Sequence, residues 1–284
     1  MIRRITGRDP QAAQSRLLRL LVWAAGALTV GVSSLIVLYI LLCGIPQLNA
    51  GLFSPKYTSA NCSLLPALYN TLVMLCVTLA MVLPVGIGAA VYLSEYASSS
   101  GIAVRLICIA LQTLSGIPSI VYGLFGLLFF VTFLGWGFSL LAGCCTLAVM
   151  VLPVVVRTAQ EALLSVPTSL REGAFALGSG KVRCVFCIVL PAAVPGIASG
   201  VTLAVGRVIG ESAALIYTAG TVAKMAHLGE SGRTLSVHLW ALWNEGLSVG
   251  SSYATALILM VVVLALNFAS GKLEKLVSRR NLLP

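Results

Sequence analysis

The stretch LILMVVVLALNFA, residues 257 to 269, is apolar without alternation. A strand of a membrane barrel would show apolar and polar residues in turn, and only helices and closed barrels satisfy their backbone groups inside a bilayer. The stretch therefore reads as part of a membrane-spanning helix. Windows of the same character, each able to supply the ~20 residues a span needs, fall at about residues 20–43, 67–92, 103–133, 138–156, 191–219 and 253–271. The expected fold is all-α, a polytopic membrane protein of six helices. Composition agrees, because 59% of the 284 residues are hydrophobic and only 9% are charged, against about 25% charged in soluble domains.

The distribution of Lys and Arg sets the orientation. Arg3, Arg4, Arg8, Arg16 and Arg19 precede the first span, and Arg105 opens the third. Arg157, Arg171, Lys181 and Arg183 lie after the fourth, and Lys272, Lys275, Arg279 and Arg280 follow the sixth. The opposite side has Lys56, Lys224 and Arg233. By the positive-inside rule both termini are expected in the cytoplasm. The net charge of +10 then reflects topology and contact with membrane lipid headgroups, not nucleic-acid binding. The first apolar run exceeds the 7–15 residues of a signal-peptide core and is expected to stay as a span.

The cysteines and histidines carry no metal signature. Cys76, Cys108, Cys144 and Cys145 lie within apolar runs, where cysteine acts as a small hydrophobe. Cys184 and Cys187 form a C-x-x-C, but a structural zinc needs four ligands and no second pair or nearby histidine accompanies them. His227 and His238 share one outer loop, and no metal is expected there.

The loop after the fourth span, EGAFALGSGKVRCVFCIVLP at 172 to 191, differs from everything around it. Its GSGKV resembles the end of a phosphate-binding P-loop, yet Phe175 and Val182 stand where that motif needs Gly and Ser or Thr. Any ATP must be bound by another subunit. Pro167 suits a helix start, Ser169 and Glu172 have capping-box spacing, and Gly178 can supply the left-handed residue that ends a helix. Leu170, Ala174 and Leu177 would share one face of that helix, and Lys181 to Leu190 reads as a second helix that enters the membrane at Pro191. Physical chemistry leaves two readings open, a plug for another protein's groove and a solvated connector.

Glu172, Gly173, Ala174 and Gly178, followed by Ile188, Leu190 and Pro191, resemble the EAA loop of ABC importer permeases, with Gly173 where the usual residue is Ala. That resemblance implies the type I importer permease fold over residues 66–272, with a coupling loop at 157–190 flanked by the first helix at 20–43 and by basic tails at 1–19 and 273–284. It also implies that Leu170, Glu172, Gly173, Ala174, Leu177 and Gly178 dock on a cytoplasmic ATPase dimer, which binds the ATP and Mg while this chain binds no cofactor and is not itself an enzyme. TLSGIPSIVYGLFGL at 113–127, GRVIGESAALIYTAG at 206–220 and YLSEYA at 92–97 are similar to the phosphate-specific (Pst) importer permeases, and Gly-Glu-Ser-Ala-Ala favours their A subunit. Such a chain would work with a C-type permease and an extracytoplasmic phosphate-binding protein in a bacterial inner membrane, passing inorganic phosphate.

Three features read independently of the resemblance. Gly116 and Pro118 interrupt the third span and free backbone groups, so a bend facing protein or a watery cavity is expected near the pathway. Gly196 and Gly200, then Gly206 and Gly210, give two G-x-x-x-G spacings that allow close helix approach. Arg207 and Glu211 stand one helical turn apart within the membrane, where ionised groups normally face a bundle interior or cavity. Arg207 is expected to meet a passing anion through its planar donor fork, with Glu211 positioning the guanidinium; a buried pair that only fixes packing is the structural alternative. Three other functions compete, a permease for another oxyanion or polar solute, an ion-gradient-driven secondary transporter and a membrane scaffold that relays phosphate status without transport. The secondary transporter should show inverted repeats with broken helices in matching positions, which the sequence does not display, and the paired charges of the fifth span count against the scaffold.

Overall fold

The computed structural model describes residues 10–97, 101–246 and 248–281, and every regular element among them is helical. α1 (Pro10–Gly44) leads through two short 3-10 turns to α2 (Leu65–Val91), which a π-helical turn extends to Tyr96. α3 (Ile102–Ser115) and α4 (Ser119–Gly126, with a π turn to Phe133) follow, then α5 (Leu140–Leu164) and the short α6 (Thr168–Ala176). α7 (Lys181–Cys184) continues through a π turn into α8 (Leu190–Gly210), and α9 (Ala213–Ile216), α10 (Leu235–Asn244) and α11 (Val249–Asn281) complete the order. Five helices are long and apolar enough to cross a bilayer, and α3 with α4 makes a sixth span if a pair bent by 102° counts as one.

α5 is the centre of the bundle, with α2 on one side and α8 on the other, and α11 packs on the far side of α8. In the most apolar window of α5, 67% of residues are buried, against 6% in α1. α1 therefore touches the rest of the chain chiefly through α11, where Tyr39 and Tyr253 meet edge to face.

Lipid is as apolar as leucine, so these helices associate through close packing more than through hydrophobic transfer. Glycines make that packing possible. A Cβ at Gly86 would lie 2.8 Å from Val155, one at Gly143 2.6 Å from Met74, and one at Gly196 2.7 Å from Ala162, while Gly200 sits directly against Thr158. The first G-x-x-x-G pair thus fits α8 onto α5. Gly206 and Gly210 have open space beside them, so the second pair makes no close approach within this chain.

Two boundaries differ from the sequence reading. The fifth span begins at Lys181, because the expected second cytoplasmic helix is continuous with it. Pro191 has no N–H to donate, and the Leu190 amide just before it donates to the Val185 carbonyl in a π turn. The span also stops at Gly210 and not near 219, because Glu211 is extended at φ −75°, ψ 127°.

The loop from 211 to 234 is tied to the start of α2. The Asn70 amide donates to the carbonyls of Lys224 and Arg233 and accepts from Ala226 N–H, while Thr71 Oγ1 accepts from Leu235 N–H. Leu140 and Leu141 at the start of α5 donate to Glu230 and Leu228 carbonyls of the same loop. His238 on α10 is fully buried, with its ring edge toward Tyr57.

Candidate functional site

Ser199, Thr202 and Gly206 follow helical spacing along α8 and, with Leu203, Arg207 and Asn267 of α11, line an open groove of about 530 Å³. Ser199 and Leu203 also line a second groove of about 350 Å³, whose opposite wall is Thr158, Glu161 and Ala162 of α5. Arg157 Nε donates to Glu161 Oε1 at 3.1 Å, and Arg157 reaches a third recess with Gln112 and Gln160. One polar face therefore runs from Arg207 along α8 to the far end of α5. A separate cavity of about 510 Å³ between α1, α10 and α11 has aromatic walls, Tyr39, Trp240, Trp243 and Tyr253, and no ionised side chain. Its other polar groups, Ser212, Ser236, Asn244 and Ser252, are all neutral.

Hydroxyl protons on the polar face are directed at the backbone. Thr158 Oγ1 donates to the Val154 carbonyl at 2.9 Å and Thr202 Oγ1 to Ala198 at 3.0 Å, the usual back-bonding of threonine in a helix. Arg207 and Asn267 make no side-chain hydrogen bond or ion pair among the described residues. In the groove of about 530 Å³, the donors open to an anion are thus the Arg207 guanidinium and the Asn267 amide.

Glu211 does not serve as the partner of Arg207. The helix ends between them, so the one-turn spacing that would bring the two side chains together is lost. Glu211 Oε1 instead accepts from Ala214 N–H at 3.1 Å, satisfying a free amide at the start of α9, and its backbone carbonyl accepts from Ser236 Oγ. Arg207 remains in the last turn of α8, half-buried, with its neighbours Val208 and Ile209 in the core.

Gly116 and Pro118 lie at the 102° bend between α3 and α4, and both are exposed. The carbonyl of Leu114, which loses its helical donor at Pro118, accepts from Ile117 N–H at 3.1 Å and from Tyr122 Oη at 2.7 Å. Leu114 and Ile117 pack on the core cluster that contains Val205, Val208 and Ile209.

On the loop side, α6 starts two residues earlier than the capping box requires. Pro167 occupies the cap position without a side-chain bond, and Ser169 lies inside the helix. Its end follows the sequence reading closely. Gly178 takes φ +79°, with Gly178 N–H donating to Phe175 and Ser179 N–H to Ala174, the paired bonds of a Schellman cap. Leu170, Ala174 and Leu177 do not share a face, because Ala174 is buried in the bundle core while Leu170 and Leu177 are exposed, Leu177 at 91%. Glu172 and Gly173 are also exposed, with nothing within 4 Å of a Cβ at Gly173. α6 thus presents Leu170, Glu172, Phe175 and Leu177 outward from a base fixed by Ala174.

Sequence reasoning missed Asn267, Ser199, Thr202, Thr158 and Glu161. Asn267, Ser199 and Thr202 are scattered polar residues in apolar spans, Thr158 and Glu161 lie in the polar run 157–161, and the pairing of α8 with α5 and α11 brings them to one face. It also counted Arg171 only for topology and quoted Glu95 only within YLSEYA. Arg171 Nη2 lies 2.8 Å from Glu95 Oε1, and the same guanidinium donates to the carbonyls of Val166 and Leu163.

Residues 82–279 match the family of binding-protein-dependent transport system inner membrane components. The chain belongs to this family. The permease is 32% identical over 261 residues to the probable ABC transporter permease protein YqgI of Bacillus subtilis (strain 168), covering 85% of this chain and 88% of that protein. It is 35% identical over 222 residues to the phosphate transport system permease protein PstA 1 of Mycobacterium tuberculosis (strain ATCC 25618 / H37Rv), covering 77% of this chain and 71% of that protein. Its fold resembles that in the crystal structure of a bacterial ABC transporter involved in the import of the acidic polysaccharide alginate. The TM-score is 0.67 at 16% identity, over 93% of this chain and 98% of that one. The permease is an integral membrane protein with the all-α fold of the ABC importers.

Proposed function

We propose that this permease is the A-type membrane subunit of an ATP-driven importer of inorganic phosphate, and that it forms half of the translocation pathway. The observation that carries the reading is the polar face with Arg207 and Asn267 as open donors, in a family member similar to a phosphate transport permease. Arginine meets phosphate oxygens with two parallel N–H donors, and a single guanidinium with one amide holds an anion weakly enough to release it. The second half of the pathway comes from a C-type permease closing over the open face of α8. An extracytoplasmic phosphate-binding protein delivers the anion to the outer loop, and the spans rest in membrane lipid.

ATP and Mg bind to a separate ATPase dimer. α6 docks in a cleft of that dimer through Leu170, Glu172, Phe175 and Leu177, with Gly173 and Gly178 shaping the helix. Closure of the dimer pushes α6, and the spans alternate between outward and inward access. The chain lies in a bacterial cytoplasmic membrane with both termini inside, as the excess of Lys and Arg on that side supports.

The test is phosphate uptake per assembled complex. Arg207→Gln removes the charge and keeps a hydrogen-bonding group, so uptake falls about tenfold or more, in line with the roughly 1.5–3 kcal/mol of a hydrogen bond to a charged group. Basal ATPase activity and assembly stay intact. Glu211→Gln retains an oxygen for Ala214 N–H and leaves uptake near normal. Normal uptake in Arg207→Gln would remove Arg207 from the pathway, and uptake competed by sulfate or molybdate as strongly as by phosphate would make this a permease for another oxyanion.

A further inference from the structure

A largely buried ion pair, Arg171 with Glu95, joins α6 to the spans away from the grooves lined by Arg207 and Thr158. Arg171, on the inner side of α6, places one guanidinium against three acceptors on two other elements. Nη2 and Nε donate to Glu95 Oε1 at 2.8 and 3.3 Å, at the π-helical end of α2. Nη1 donates to the Val166 carbonyl at 2.7 Å and Nη2 to the Leu163 carbonyl at 2.9 Å, at the end of α5. The two side chains are only 17% and 10% exposed, so water competes little for these bonds.

The covalent connections from α6 are softer. Toward α8 the chain passes through Gly178, in the left-handed conformation, then Ser179 and Gly180, and neither glycine has anything within 4 Å of a Cβ. Glycine fixes its backbone less than any other residue, so a displacement of α6 is absorbed there. On the other side Ser165–Pro167 forms a turn. The Arg171 fork spans that turn directly, and it adds α2, which is separated from α6 by three helices in sequence.

We infer that Glu95 and Arg171 form a clamp that makes α6, the end of α5 and the end of α2 move as one body, so that these two residues position the spans in response to α6. α5 carries Thr158 and Glu161 of the polar face, so motion of this body widens or narrows the pathway. Arginine is required because lysine, a point charge on a flexible stem, cannot hold a carboxylate and two carbonyls in one planar fork. The inference rests on the coupling role proposed for α6.

The test uses the complete importer in proteoliposomes, with phosphate taken up per ATP hydrolysed as the readout. Glu95→Gln, Arg171→Lys and the double variant are compared with the unaltered protein. Each single variant should lower the ratio about fivefold or more, the size of an ordinary coupling between sites, while the ATPase continues to turn over and Glu95→Asp restores part of the ratio. The double variant should be no worse than the more damaging single one. An unchanged ratio in assembled Glu95→Gln and Arg171→Lys overturns the clamp, as do losses that multiply in the double variant. If Arg171→Lys fails to assemble, Glu95→Gln against Glu95→Asp decides alone, because both keep the Arg171 bonds to Leu163 and Val166. Failure of the unaltered chain to associate with an ATPase would refute the coupling role of α6 itself, an outcome distinct from an intact complex with an unchanged ratio.

Discussion

Two glycines five residues apart on α6 should respond to alanine with opposite signs. Gly173 is inside the helix, exposed, with nothing within 4 Å of an added Cβ. Gly173→Ala therefore introduces no clash and gains the helix propensity glycine lacks, about 1 kcal/mol. Gly178 is equally free of neighbours, but its φ of +79° places an alanine side chain against its own carbonyl, at a cost of about 1–2 kcal/mol. Space is the same at both positions, so backbone conformation alone sets the difference. In hydrogen exchange on the complex held in nanodiscs, local opening of α6 sets the rate of its amides. Protection over residues 172–177 should rise about fivefold in Gly173→Ala and fall about five- to thirtyfold in Gly178→Ala, since 1.4 kcal/mol is a factor of ten. A shift of the same sign in both variants would refute the reasoning.

Gly200→Val should separate α8 from α5, because the new side chain meets Thr158; overpacking of this kind costs about 1–3 kcal/mol and should lower the melting temperature of the purified permease, whereas Gly206→Ala, with open space beside it, should leave it unchanged. The pKa of His238, on α10, is held down at about 3 by burial first and then by the charge of Arg233. The unfolded chain takes up a proton at this residue below about 6.5 and the folded chain does not until about 3, so stability falls as pH drops through that window, by up to about 1.4 kcal/mol per pH unit. Melting followed from pH 7.5 to 5 should show this slope, and His238→Leu should flatten it.

The sequence identified what a bilayer imposes. Continuous apolar runs such as 257–269 have one structural solution in lipid, and the bend at Gly116–Pro118 and the left-handed residue at Gly178 follow from local covalent chemistry. Pairing across helices was less legible. Asn267 reads as an isolated polar residue until α11 is set beside α8, and Glu95 and Arg171 are 76 positions apart. The end of the fifth span at Gly210 was hidden for a similar reason. Periodicity extended the fifth span beyond Gly210, but Glu211 gains a bond to Ala214 N–H by leaving the helix, and no repeat in the sequence encodes that exchange. Ala174 is buried while Leu177 is exposed because α6 lies against the Ala90, Val166 and Val185 cluster, a surface assembled from three other segments.

The most direct test of the whole account is phosphate accumulation in sealed vesicles that contain this permease with its co-purified partners. Accumulation should require ATP on the side that faces α6 and phosphate on the side of the outer loop, and it should persist when the ion gradients are collapsed. Uptake that ceases with the gradients and ignores ATP would contradict the account and make the protein a secondary transporter.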